Sequence, residues 1–332
     1  MQFYPATIEP KQIRRDVRSV VLGVAAFIAT IQVVAIIVVI AAVFIEHFAT
    51  MMHIYETTGG ATEVLAPYIT DLYLDSIEKY MGLGMIIGMI VGVTWFFIIR
   101  GKKFVTYDMV KVNSKAKIGT LLVLLICVFG VQGFMSLISM MLEPLFNQGG
   151  GSLTDVLEES TTSLALSFWG AAYIAVIGPI CEELVFRGGV MRKLERYGSN
   201  FAIVVSSLLF ALYHMILFQA AFAFFIGIIL AYTAGRFSLK WAILLHMINN
   251  TLAILPLYIQ SDVLNVALLL VYIGSFITAG IIILVKSNVF KTQRKTGAPS
   301  EPRVYARAFA SPWLIIYLVI TTSIAFLLLG FF

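Results

Sequence analysis

The chain alternates long apolar stretches with short polar ones. Apolar runs of about 18 residues or more recur along it, each long enough to cross a hydrocarbon core of ~30 Å at ~1.5 Å per helical residue. The pattern predicts about nine crossings: Val20–Ile45, Met81–Ile99, Ile118–Leu142, Leu164–Cys181, Phe201–Leu217, Ala220–Ala234, Trp241–Tyr258, Val263–Val285 and Trp313–Phe332. The first run follows the basic stretch "KQIRRDVR", lacks a small-residue cleavage site and exceeds the ~7–15 residues of a signal-peptide core, so it reads as a retained span. The 35 residues from Phe201 to Gly235 contain no Asp, Glu, Lys or Arg and no proline. They make either two short crossings or a hairpin whose tip lies inside the membrane, with His214 near that tip.

Composition agrees with this reading. The 332 residues are 60% hydrophobic and 12% charged, against about 25% charged in soluble domains. The fold class expected is all-α: a polytopic helical membrane protein whose core bundle encloses an intramembrane polar cavity. Two cysteines, Cys127 and Cys181, both in apolar segments, exclude a disulfide framework and a Cys-rich metal site. The net charge of +5 reflects basic loops rather than nucleic-acid binding. With the N-terminus in the cytoplasm, the alternating loops place 22 of the 23 Lys and Arg residues on the cytoplasmic side, all but Lys79. The positive-inside rule therefore selects that orientation, with the C-terminus outside, and points to a plasma-membrane protein. The acidic outer loops, 46–80 and 143–160, are too short for a soluble domain. "NQGGGS" at 147–152 reads as a turn and "KTGAPSEPR" at 295–303 as a cytoplasmic linker. No internal repeat stands out, which disfavours an inverted-repeat transporter.

Ionisable groups inside a span are costly, by about 2.5–3.5 kcal/mol at its centre on insertion scales, and so tend to face a cavity or a partner. Few occur here. "GPICEELVFRGGVMRKL" ends the fourth run in Glu182 and Glu183. Neighbours on a helix point about 100° apart, so the two cannot do the same job. Glu183 meets Arg187 four residues on, whereas Glu182 has no local countercharge and is free to act as a general base. His214 lies deep in the fifth run, and His246 and Asn250 share a helix face in the seventh; His47 and His53 fall in the first outer loop. Taken singly, each group has a structural reading: interfacial charges, a packed histidine, an interhelical hydrogen bond. Together they suit water activation, the carboxylate taking the proton, one imidazole orienting the water, and the His246/Asn250 pair stabilising an oxyanion. Two alternatives stand beside this. Glu182, His214 and His246 could be three ligands of a divalent metal such as zinc. Cys181 could be a nucleophile, though no base adjoins it in sequence.

Three motifs in order, Glu-Glu-x-x-x-Arg (Glu182, Glu183, Arg187), Phe-x-x-x-His (Phe210, His214) and His-x-x-x-Asn (His246, Asn250), resemble those of the CPBP intramembrane proteases, also called Abi, which include the type II CAAX prenyl endopeptidases. The resemblance covers about residues 164–258. It implies that Glu182 activates water with the aid of His214, that His246 and Asn250 bind the oxyanion, and that Glu183, Arg187 and Phe210 hold the site in shape, without a metal. It implies a catalytic core at 161–260, an N-terminal region at 1–160 with three spans and two acidic outer loops, and a C-terminal two-span region at 261–332. The partners expected are the lipid bilayer and a membrane-associated peptide or protein substrate. The other function classes are a non-catalytic regulator or partner of another membrane protein, and a proton-coupled transporter using Glu182 and His214. Counting residues puts Glu182 near the cytoplasmic end of its span and His214 about 20 Å deep from Asn200. A cavity open to the cytoplasm and reaching mid-membrane is the expected way for them to meet.

Overall fold

The computed structural model describes residues 10–60, 62–148, 162–285 and 302–328. The main helices among them are α1 (Pro10–Thr57), α2 (Thr62–Arg100), α3 (Ile118–Gln148), α4 (Phe168–Tyr197), α5 (Ser199–Tyr213), α6 (Leu217–Arg236), α7 (Leu239–Tyr258), α8 (Asp262–Val285), α9 (Pro302–Phe309) and α10 (Pro312–Leu328). The chain is an all-α polytopic membrane protein. Seven of these helices are long and apolar enough to cross a bilayer, and α9 with α10, bent by 61°, forms a further candidate span. The nine crossings expected thus become seven or eight among the described residues. The difference lies in α5, whose 15 residues reach only about 22 Å, and, where seven are counted, in the bent α9–α10 pair as well.

The first acidic outer loop is not a loop. α1 has 48 residues, about 72 Å of helix, and so extends far beyond a ~30 Å core. α1 and α2 continue as helical arms joined by a turn in which Gly59 and Gly60 adopt positive φ. Lys79 donates to Glu46 across the arms at 2.7 Å, and His47 and His53 ride on the α1 arm. Within the bundle the two helices meet along Gly84, Gly88 and Gly92. A Cβ at Gly84 would stand 2.7 Å from the Ala35 Cα, one at Gly88 2.7 Å from the Ile31 Cα, and one at Gly92 2.6 Å from the Phe27 ring. Small residues every fourth position let backbones approach closely, which is how helices associate without a hydrophobic driving force in lipid. The second outer loop begins as helix, since α3 runs to Gln148, and its remainder and most of the linker at 295–303 lie outside the described residues.

The fourth span also differs from expectation. It does not end at Cys181 but continues as helix to Tyr197, and "FRGGVMRKLERY" is not a loop. The reason is local neutralisation: Arg187 is fully buried, 2.9 Å from Glu183, so the pair enters the bundle without net charge. The helix stops where Gly198 adopts φ 116°.

The described residues of the basic segments gather at one end of the bundle. Tyr197 donates to Asp16 at 2.7 Å, and Lys111 pairs with Glu195 at 3.0 Å. The Asn113 amide donates to the Phe237 carbonyl at 2.9 Å, and the Tyr305 ring packs edge-on against Phe201. Above this basic end, Phe27, Met89, Phe96, Val185, Phe186, Phe201, Leu209 and Phe210 form a buried apolar layer.

Candidate active site

The glutamates occupy a short α-helical turn, Gly178–Glu183, set between two π-helical turns, Tyr173–Ile177 and Leu184–Met191. Pro179 accounts for the first: it has no amide hydrogen and its ring crowds the carbonyl four residues back, so the preceding turn widens. Gly178 permits the widening, because a Cβ there would lie 2.7 Å from the Tyr173 carbonyl oxygen. π turns are rare and frequently mark functional sites.

Glu183 is buried in a tight cluster. Its Oε1 lies 2.9 Å from Arg187 Nη1 and 3.1 Å from His246 Nδ1. Arg187 in turn donates to the Gly227 carbonyl on α6 at 3.1 Å and stacks its guanidinium 4.3 Å from the centre of the Phe210 ring. Phe210 also meets His214 and His246 edge-on, at 5.0 and 5.7 Å between ring centres. One arginine, one aromatic ring and one carboxylate therefore tie α4, α5, α6 and α7 together.

Glu182 points elsewhere. It lines a cavity of about 380 Å³ together with His214 and Asn250. Tyr173 and Tyr213 line the same wall, Gln32 and Gln219 add further polar groups, and Ile28, Ile31, Met85 and Ile324 make its apolar side. Glu182 and His214 stand at the same depth. Each is 15 residues from the basic end, along α4 from Tyr197 and along α5 from Ser199, or about 22 Å. The difficulty in the residue count disappears because α4 extends past the glutamates. The sequence predicts a cavity reaching mid-membrane, and the lining lies at and beyond the level of the glutamates as counted from the basic end. Part of its lining (Tyr173, Leu164, Met215, Ile216, Gln219) lies beyond the glutamates on the far side, and the buried phenylalanine-rich layer lies on the near side. The cavity exists because the α5–α6 hairpin stops short. The chain reverses through Met215, a non-glycine residue at φ 56°, and leaves the space beyond its tip unfilled.

His246 and Asn250 are treated differently by their surroundings. The His246 ring is turned to the carboxylates, Nδ1 to Glu183 and Nε2 3.7 Å from Glu182. The Asn250 amide donates to the Ile174 carbonyl at 3.1 Å and accepts from Asn249 at 3.1 Å, while Gln132 of α3 donates to Asn249 at 3.3 Å. Asn250 borders the cavity and His246 sits behind it. The three groups considered as metal ligands do not converge on one point, and among the described residues no set of three His, Cys, Asp or Glu is arranged to hold a metal ion.

Sequence reasoning missed Tyr173, Tyr213 and Gln132, and placed Asn249 only as one residue off the His246/Asn250 face. Tyr213 adjoins His214 in "FALYH" and was within reach. Tyr173 was not: nine residues from Glu182, it falls on the opposite face of a regular α-helix at 100° per residue, and only the intervening π turn brings it round.

Residues 164–252 match the family model for the type II CAAX prenyl endopeptidases, Rce1-like. The match agrees with the three motifs and begins and ends close to the helices that bear them; it supports a CAAX-type intramembrane protease at the level of the family. No curated protein and no solved structure matches the chain. The Rce1-like segment makes up just over a quarter of the chain. α1, α2 and α10 contribute cavity walls from outside it, through Ile28, Gln32, Met85 and Ile324.

Proposed function

We propose that the chain is an intramembrane endopeptidase that hydrolyses a peptide bond of a membrane-associated peptide or protein by direct attack of water. The observation that carries this reading is the meeting of Glu182, His214 and Asn250, from three helices, on one cavity of about 380 Å³ inside an otherwise apolar bundle. Glu182 takes a proton from water while His214 orients it, the water oxygen adds to the scissile carbonyl, and the proton passes on to the leaving nitrogen. The Asn250 amide has two N–H groups. One is held by the Ile174 carbonyl, and the other is available for the oxyanion. His246 joins it when its ring turns from Glu182. Glu183, Arg187 and Phe210 keep the carboxylates and rings in register. The reading takes no metal, because an imidazole and an amide suit an oxyanion better than a zinc shell. Residues 161–260 form the catalytic core in this reading, and the flanking helices wall the chamber. With the basic end in the cytoplasm, the cavity lies towards the outer half of the bilayer, and the substrate reaches it from that half or from the lipid.

The test in cells is comparative membrane proteomics of wild type against Glu182→Ala. At least one membrane-associated peptide accumulates unprocessed in the variant. Unchanged processing together with an unchanged phenotype would instead support a non-catalytic partner role.

A further inference from the structure

A second cavity lies at the basic end, away from the glutamates. It has a volume of about 370 Å³ and is lined by Arg100, Lys103, Tyr107, Arg192, Lys193 and Arg196, within the size range of small-molecule sites. Five of its six lining residues are cationic. They come from the end of α2, the π-helical turn Phe104–Asp108 with its approach, and the last two turns of α4.

Loose basic residues at a membrane face explain a cationic surface but not this arrangement. Lysines and arginines left to themselves reach out into water; here three are drawn inward. The side chains of Arg100, Lys193 and Arg192 are 14%, 10% and 1% exposed. Arg100 is matched by Asp108 in a two-pronged pair at 2.7 and 2.8 Å, and Arg192 by Glu195 and the Ala234 carbonyl. Lys193 is matched less well: it donates to the Ser19 hydroxyl at 2.7 Å, and its nearest carboxylate, Asp16, is 4.0 Å away and shared with Arg196 and Tyr197. Lys111 takes part of Glu195 as well. Six cations (Arg100, Lys103, Lys111, Arg192, Lys193, Arg196) thus share three carboxylates (Asp16, Asp108, Glu195). An anion in the cavity would relieve that imbalance. Guanidinium groups held by buried partners present fixed donors to it, and phosphate is the anion they match best in geometry.

We infer that this cavity binds a phosphate group, and that its source is the headgroup of an anionic phospholipid in the adjoining leaflet. Basic pockets between helix ends on the cytoplasmic side are the usual way membrane proteins hold such headgroups. The inference does not rest on the proteolytic reading, because none of its residues lies at the Glu182 cavity.

The experiment uses the full chain purified in neutral detergent. Binding is measured by native mass spectrometry and by thermal-shift titration with dioctanoyl phosphatidylglycerol, dioctanoyl phosphatidylcholine and inorganic phosphate. The same measurements are made on the double variant Lys103→Gln/Arg196→Gln, in which both altered residues are solvent-exposed, and its melting temperature is compared with that of wild type. The expected result is a preference for phosphatidylglycerol over phosphatidylcholine that falls about tenfold or more in the variant, at roughly 1 kcal/mol for each basic contact. Inorganic phosphate binding as tightly as phosphatidylglycerol, with the same loss in the variant, would keep the phosphate site but overturn the lipid source. Equal binding of both lipids, or a phosphatidylglycerol affinity unchanged in a variant that melts like wild type, would overturn the site.

Discussion

Glu182 and Glu183 are adjacent in sequence and have separate environments, and this division was legible from helical geometry alone. The i, i+4 spacing of Glu183 and Arg187 predicts a pair, and the structure has it at 2.9 Å with both side chains fully buried. The sequence did not disclose the third partner, because His246 comes from a helix 63 residues away and reaches Glu183 rather than the oxyanion side of the cavity. Breaking a buried ion pair from one side strands the other charge, at about 3–5 kcal/mol. Glu183→Gln is therefore expected to lower the melting temperature in detergent sharply. Glu183→Gln/Arg187→Met should recover part of the loss, since replacing both charges leaves neither unpaired. If the single variant melts like wild type, the pair does not hold the site.

At the scale of elements, apolar length predicted most helices, and it failed where charge was internally neutralised or where a helix was short. α4 was cut at Cys181 because Arg187 and Arg192 read as loop residues; their partners, the Gly227 and Ala234 carbonyls, lie on α6. For the uncharged stretch 201–235 the sequence leaves two short crossings or a hairpin with its tip inside the membrane, and the short α5, ending at Tyr213, fits the second. The π turns left no periodic signal, and they alone bring Tyr173 onto the Glu182 side. The α1–α2 contact is legible in the four-residue spacing of Gly84, Gly88 and Gly92. Gly88→Leu is expected to force the two helices apart, because the nearest obstruction is the Ile31 backbone and not a movable side chain. A loss of several degrees in melting temperature checks this, with Ile87→Leu on the exposed face as the neutral control.

For the whole molecule, the first four basic segments predicted to share one side share one end, joined by hydrogen bonds and ion pairs between α1, the 100–117 connection, α4 and α6; most of the fifth lies outside the described residues. α10 begins at that same end, where Arg18 lies 5.0 Å from the Trp313 ring, and runs away from it. Single cysteines at Asn113 and Gly60, in a background lacking Cys127 and Cys181, should differ in intact cells: the impermeant thiol reagent labels Gly60→Cys and not Asn113→Cys. The reverse pattern would invert the orientation and move the cavity to the cytoplasmic half. The account's central claim is that Glu182 activates water in that cavity. It is tested most directly by reconstituting wild type and Glu182→Gln in lipid with the substrate that proteomics identifies. Glutamine keeps the size and removes the base, so cleavage is predicted to fall by about 10²–10⁴-fold, with the variant folded and still binding substrate. Cleavage by Glu182→Gln at the wild-type rate would contradict the account.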